Sequence, residues 1–363
     1  MISGGGVKGG RDLDGRHGPV QEWVRREAGG VVTTVMDVAK RAGVSSATVS
    51  RVLNGRATVN AEAQSRVLAA ARELGFQPNR MAQSLRSGRG RAVALLVGDI
   101  EQNLYSALTK HVQAALGGIG LDVLLYNLDH SADRLRAFLA LAPSLGLRGI
   151  ALATTDRIGP EFDPILGELQ RSGLTILSLA QRMDARGIPS IVHEEYEAGL
   201  QAVRYLLQAG LGPVLYVGRI NGSPLGSERY RGYRAALAEA GQPARRDLIH
   251  DVVFGYEAGY DALKKAIDAG TSFRAVQAGS DVIALGAMAA LHDRGRRVPE
   301  DVAVIGFGNA DWGAHTRPSL TTLSVHHEAA ATAVCSAFAS AEAGGNTPML
   351  VTIARGLILR QSA

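Results

Sequence analysis

A chain of 363 residues is long enough for two or three domains with sizeable cores. Its 46% apolar and 20% charged content is that of an ordinary soluble globular protein, its single cysteine, Cys335, excludes an intramolecular disulfide and suits a reducing cytoplasm, and no run of about 18 apolar residues is present to cross a membrane. The net charge of +5 is unevenly placed: residues 36–91 hold ten Lys/Arg against three Asp/Glu, while the rest of the chain holds 29 against 31.

Residues 1–33 read as a flexible extension. Gly4-Gly5-Gly6 and Gly9-Gly10 cannot hold a regular element cheaply, and they follow no strand, so they are not a dinucleotide-binding loop. The segment lacks the apolar stretch of a secretory signal. A brief helix over Gln21–Ala28 is compatible with the pattern.

Val38 to Gly55 predicts two short helices meeting at a sharp angle. Gly43 ends the first, because glycine takes a left-handed cap without steric cost. Val44 fills the turn, and Ser45 can cap the second helix by accepting a backbone N–H. Val49, Val52 and Leu53 then share one buried face. The opposite face carries Ser46, Ala47, Ser50 and Arg51, thin enough to approach base edges and supplied with donors. A helical hairpin with a solvated polar face satisfies the same pattern. The local cation excess adds phosphate contact to the first reading; a solvated basic surface explains the charge, but not its coincidence with the motif. A third helix is predicted from Asn60 to Leu74, with Val67, Ala71 and Leu74 buried, Gly75 as the stop and Pro78 blocking continuation. Residues 79–88 form a weakly amphipathic turn or a plain connector.

From Arg91 onward short apolar runs alternate with helical periodicity. The runs are Ala92–Val97, Val123–Tyr126, Gly149–Ala153, Thr175–Leu179, Val214–Val217, Ala275–Ala278 and Val302–Phe307. The helical stretches include Ala132–Ala142, Glu197–Ala209, Glu228–Ala240, Tyr256–Ala269 and Ile283–Arg294. Continuous apolar strands separated by helices imply parallel sheets covered on both faces, and this length implies two lobes.

Asp37-Val38-Ala39, Ala42-Gly43-Val44-Ser45 and Thr48-Val49-Ser50-Arg51-Val52-Leu53-Asn54-Gly55 closely resemble the DNA-binding headpiece of the LacI/GalR family of bacterial transcription regulators. The resemblance runs from about Thr34 to Arg360. It implies an all-α helix-turn-helix headpiece followed by a two-lobed α/β periplasmic-binding-protein-like domain with parallel sheets. The implied divisions are an extension at 1–33, a headpiece at 34–78, a hinge helix and linker at 79–90, an N-terminal lobe at 91–190 plus 324–344, and a C-terminal lobe at 191–323 plus 345–363. The chain would cross between lobes near Ser190, Leu323 and Gly345.

The resemblance further implies DNA contacts. Ser46, Ala47 and Arg51 match base-contacting positions, with Thr34, Ser45, Thr48, Ser50 and Asn54 around them. A hinge helix would fold on DNA, with Leu85 wedging a minor-groove step and Asn79, Arg80 and Ala82 on the sugar–phosphate walls. The implied partners are double-stranded operator DNA with a near-palindromic site, a second copy of the chain, and a small-molecule effector between the lobes; no cofactor, metal or membrane is expected. Effector-binding positions are Leu104 and Tyr105 in the loop after the first strand, Arg229, Phe254, and the Ser280-Asp281 pair opening a helix. Asp281 can equally serve as a helix-capping carboxylate. Two positions depart from the family: Gly308 and Ala180 stand where carboxylates frequently accept sugar hydroxyls. That favours a less hydroxylated or anionic effector facing Arg229.

His326-His327-Glu328 is not read as a metal site, because adjacent helical side chains point apart. Cys335 reads as a small buried hydrophobe. An enzyme is disfavoured: no P-loop, no Gly-x-Ser-x-Gly elbow and no metal-ligand spacing occurs. A transporter's solute-binding protein would lack the basic headpiece. A regulator answering a protein corepressor stays open, and the reading is a cytoplasmic transcriptional regulator, expected to be a repressor.

Overall fold

The computed structural model describes residues 33–53, 60–76 and 90–363. They fall in two compact units, residues 1–83 and 84–363. The possible helix at Gln21–Ala28 and the hinge at 79–88 lie outside the described residues.

In the first unit, α1 (Val35–Ala42) starts from a reciprocal cap. Asp37 N–H donates to Thr34 Oγ1 at 3.3 Å, and Thr34 N–H donates to Asp37 Oδ2 at 2.8 Å. It ends at Gly43, whose φ of +64° is left-handed. Helix α2 (Ser46–Leu53) is capped by Ser45, whose Oγ accepts from Thr48 N–H at 3.2 Å. Helix α3 (Ala61–Glu73) is capped by Asn60 Oδ1, which accepts from Ala63 N–H at 2.7 Å. Val38, Val49 and Val67 meet at the centre, each with no exposed surface, and Val44, Leu53 and Leu74 close around them. Each fully buried valine contributes roughly 1.5–3 kcal/mol, so the three largely decide the angle between the helices.

The second unit contains two six-stranded sheets. In chain order the N-terminal lobe has β1 (Ala92–Val97), α4 (Asn103–Gly118), β2 (Asp122–Asn127), α5 (Ala132–Leu141), β3 (Gly149–Ala153), α6 (Asp163–Arg171), β4 (Thr175–Ser178) and β5 (Ser190–His193). The C-terminal lobe has α7 (Glu195–Gln208), β6 (Val214–Gly218), α8 (Pro224–Glu239), β7 (Ile249–Asp251), α9 (Tyr256–Asp268), β8 (Ala275–Ala278), α10 (Asp281–Asp293), β9 (Ala303–Phe307) and β10 (Thr321–Leu323). The chain returns through α11 (His327–Glu342) and β11 (Leu350–Ile353), then ends on β12 (Leu357–Ile358). The sheet orders are β11-β5-β4-β3-β1-β2 and β12-β10-β9-β8-β6-β7, parallel except for β12 against β10.

β1 shows why its apolar run is unbroken. Val93, Leu95 and Val97 pack with Val112, Leu116 and Phe338 on one face, while Ala94 and Leu96 pack with Phe138 and Leu139 on the other. Among the described residues no helix is long and apolar enough to cross a membrane.

Two of the expected lobe crossings move. Ser190–His193 pairs with β4 and β11, so the first crossing follows His193 and not Ser190. Leu350–Ile353 pairs in parallel with β5, so the third crossing does not fall at Gly345; it follows Ile353. Residues 191–193 and 345–353 therefore belong to the N-terminal lobe, not the C-terminal one. Both strands have four residues, too few to carry a periodic signal, and only a partner strand makes them visible. The second crossing spans Ser324–His326.

Candidate nucleic-acid interface and effector cleft

On α2 the buried Val49 and Val52 fix the opposite side as solvent-facing. Ser45, Ser46, Ala47, Ser50 and Arg51 are exposed, and Thr48 is half-buried. Ser45 and Thr48 are partly spent on the cap, since their hydroxyls lie 2.9 Å apart. Arg51 makes no hydrogen bond or ion pair among the described residues, so its fork of donors is available. Thr34 is exposed and serves as the N-cap of α1. Asn54, Asn79, Arg80, Ala82 and Leu85 lie outside the described residues.

In the second unit the carboxyl ends of strands from both lobes converge on a cavity of about 330 Å³. Asp99, Gln102 and Leu104 follow β1, Thr155 follows β3, Ser280 follows β8, Phe307 ends β9, Val325 follows β10 and Arg355 follows β11. Phe254, Phe307 and Trp312 supply aromatic walls. An apolar cleft with a few convergent polar groups, in this size range, suits a small molecule.

A buried ion cluster forms the base. Glu195 Oε2 accepts from Arg229 Nε at 2.7 Å, and Oε1 accepts from Arg355 Nη2 at 2.6 Å. Arg229 Nη1 also donates to the Gly279 carbonyl at 2.5 Å. Both guanidiniums lie over the Phe307 ring, at 4.4 and 5.5 Å from its centroid. Burial opposes ionisation of Glu195, but the two arginines outweigh it and hold the carboxyl down at about 2. Arg355 Nη1 donates to the Ser324 carbonyl at 2.8 Å. One side chain thus ties together the start of α7, the second crossing and the third. Arg229 reaches Glu195 because α7 and α8 touch backbone to backbone: a Cβ on Gly199 would sit 2.4 Å from the Arg229 carbonyl.

A second set of contacts joins the two lobes beside the cavity. Gln102 Nε2 and His130 Nε2 are 2.8 Å apart, and His130 Nδ1 lies 2.7 Å from Asp156 Oδ2. Arg219 Nη1, from the other lobe, donates to Asp156 Oδ1 at 2.7 Å. Arg219 lies over the Phe254 ring at 6.0 Å, and Arg157 N–H donates across the lobes to the Gly222 carbonyl at 3.0 Å. Asp156 is buried against its charge, yet His130, Arg219 and Thr154 hold its carboxyl down at about 2. The same hydrogen bond, which Asp156 accepts, raises His130 above its usual value despite burial.

Residues 34–79 match the model for bacterial regulatory proteins of the lacI family, and residues 203–363 match a periplasmic binding protein-like domain. The transcriptional regulator AscG of Escherichia coli (strain K12) is 33% identical over 299 residues, covering 81% of this chain and 87% of that protein. The chain belongs to the lacI family. It is therefore a transcriptional regulator with a DNA-binding headpiece and an effector-binding domain, and not an enzyme. Among solved structures, the regulator CelR in complex with cellobiose is 27% identical with a TM-score of 0.68, covering 91% of this chain and 100% of that one. The Lac repressor dimer bound to operator and an anti-inducer has the same fold, at 21% identity and a TM-score of 0.81, covering 92% and 99%.

Within this lacI-family cleft, Leu104, Arg229, Phe254, Ser280 and Asp281 all line the cavity. Tyr105 does not, which corrects the expectation that it pairs with Leu104 on a ligand. Both residues fall on the first turn of α4, not in a loop, and neighbours on a helix point apart. Tyr105 is 1% exposed, inside the core; its hydroxyl accepts from Thr155 N–H at 3.0 Å and lies 3.3 Å from Thr155 Oγ1. Asp281 lines the cavity with both oxygens already engaged: Oδ2 accepts from Ala310 N–H at 2.6 Å and Oδ1 from Thr322 Oγ1 at 2.5 Å. Burial pushes its pKa up, and it pins the loop after β9. In that loop Gly308 adopts φ +133°, a backbone that a side chain rarely takes.

Sequence reasoning missed Arg355, Glu195, Trp312 and the Asp156–Arg219–His130 set. Nothing in local spacing points to them, because the polar members act through partners 26 to 160 positions away in sequence. His111 and His327 stack at 6.1 Å, and among the described residues no cluster could hold a metal.

Proposed function

We propose that this chain binds a near-palindromic operator as a dimer, in the cytoplasm, and that a small molecule held between the lobes alters that binding. The headpiece reads bases through Ser46, Ala47 and Arg51 on α2, with Thr34, Ser45, Thr48, Ser50 and Asn54 around them, while Asn79, Arg80 and Ala82 lie on the sugar–phosphate walls and Leu85 wedges the minor groove. The observation that carries the reading is the outward face of α2: an unpaired Arg51 beside small residues, directly opposite the buried Val49 and Val52. Two such headpieces on a two-fold axis require a symmetric site. In the cleft, Leu104, Phe254, Phe307 and Trp312 enclose the effector's apolar surface, and Arg229, Arg355 and Ser280 supply donors. The complex of CelR with cellobiose supports a ligand in this class of cleft.

Selection of bound fragments from genomic DNA, followed by footprinting, tests this reading. The expected result is a protected near-palindrome whose half-sites lie about one helical turn, or a multiple of it, apart. Binding that is abolished by moderate salt and shows no preferred sequence would refute it.

A further inference from the structure

We infer that Arg355 and Arg229 form an oxyanion subsite at the base of the cleft, so that the effector of this chain carries a carboxylate or phosphate group. The inference rests on the cleft being the effector site.

Glu195 is the one carboxylate shared by both guanidiniums, and each of its oxygens already takes one arginine donor. Donors are left over. Nε of Arg355 is buried without a hydrogen-bond partner, on a side chain only 2% exposed. Nη2 of Arg229 takes no hydrogen bond among the described residues. A buried cationic donor with no acceptor is an unstable arrangement unless a ligand or water completes it. Asp281, the other acid at this end, cannot serve, because both its oxygens accept from the protein itself. Arg360 adds a further cation nearby, bonded to the neutral Asn309 amide at 2.7 Å.

The part of the lining contributed by the N-terminal lobe has the contrary character: Asp99 and Glu101 line the cavity, beside Gln102 and Asn103. An anionic group is repelled from that end and drawn to the arginines, which fixes the ligand's direction. Its far end carries hydroxyls or other donors that suit carboxylates and amides. Between the two ends, Phe254, Phe307 and Trp312 fit a ring or short carbon chain. The ligand class is a small hydroxylated acid or its phosphate ester.

The test uses the full chain with Trp23→Phe, which leaves Trp312 in the cavity wall as the sole tryptophan. Its fluorescence is titrated with matched pairs, glucuronate against glucose and glucose 6-phosphate against glucose, and with inorganic phosphate alone, at ionic strength fixed with chloride. The two pairs separate a carboxylate from a phosphate. The expected result is saturable binding of the charged members at concentrations at least about tenfold below their neutral twin. Arg355→Gln should weaken the charged members roughly ten- to a hundredfold, the range for a lost charge-assisted hydrogen bond. Glu195→Gln should act in the opposite direction: it removes the negative charge between the guanidiniums and one of the two acceptor oxygens, so the charged members bind more tightly and raise the unfolding temperature more than in the parent. A misfolded variant would weaken binding in both cases, so the opposed signs keep the test decisive.

Equal binding of a neutral twin, or a charge preference that survives Arg355→Gln, overturns the inference. If neutral sugars saturate the Trp312 signal and no anion does, the cleft remains the effector site and only the oxyanion subsite is lost. If no compound of either kind perturbs Trp312, both readings fall.

Discussion

Removing the Asp156–Arg219 ion pair between the lobes should loosen them by an amount that the structure sets. Asp156 and Arg219 come from different lobes, and their side chains are 23% and 21% exposed. A partly buried, charge-assisted pair at 2.7 Å falls between a screened surface bridge and a fully buried one. Its expected pairwise energy is about 1–2 kcal/mol, or roughly a 5- to 30-fold change in the closed-to-open ratio. The measurement is a double-mutant cycle, Asp156→Asn and Arg219→Gln singly and together, read by urea unfolding of the two-lobed unit. The pH dependence supplies a second check. The Asp156 carboxyl is held down at about 2 against a usual 3.8, so its contribution is complete above the usual value and is lost as pH falls through about 2. His130 is raised above 6.5 by Asp156, so its contribution is complete below 6.5 and is lost as pH rises through the raised folded value. The His130–Asp156 interaction energy, measured with His130→Ala, should therefore be larger near pH 5.5 than near pH 8.5, while the Arg219–Asp156 energy persists at both. An Arg219–Asp156 interaction energy below about 0.3 kcal/mol would refute the latch, since that is the scatter between independent sites.

Further outcomes follow from the same contacts. Arg51→Ala should abolish sequence preference while leaving salt-sensitive, non-specific binding, as read by competition footprinting; an unchanged footprint would count against Arg51 as a base reader. Gly199→Ala places a methyl against the Arg229 carbonyl and must push α8 away, which strains the Glu195–Arg229 pair; a loss of about 1–3 kcal/mol is expected in urea unfolding, and a neutral result would contradict the close approach. Arg41→Ala breaks an exposed pair with Glu73 at 2.7 Å, both side chains about half exposed, and should change headpiece stability by no more than about 0.5 kcal/mol in a thermal melt.

How much was legible in the sequence depended on how local the information was. Gly43, Ser45, Asn60 and Gly75 mark helix ends through their own backbone and side-chain chemistry, and the helices begin and end there. The central strands β1, β3 and β9 were equally plain, because both faces of the sheet are covered there and their positions are almost wholly apolar. β5, β11 and β12 were not, since two to four residues become a strand only when a neighbour supplies the hydrogen bonds. Their absence from the pattern is what misplaced the first and third lobe crossings. Tyr105 was misread because its neighbours looked like a loop, and only the start of α4 at Asn103 turns its ring into the core.

By itself the sequence determined the headpiece, the alternation of strands and helices, and the placement of positive charge, because caps, periodicity and composition act over a few residues. Only the tertiary structure decided what the cleft is made of. Glu195, Arg229 and Arg355 lie far apart along the chain, and Asp156 meets Arg219 from the opposite lobe. Charges of opposite sign meet there because three crossings fold one lobe against the other, and that closure is a property of the packed sheets and of no single segment.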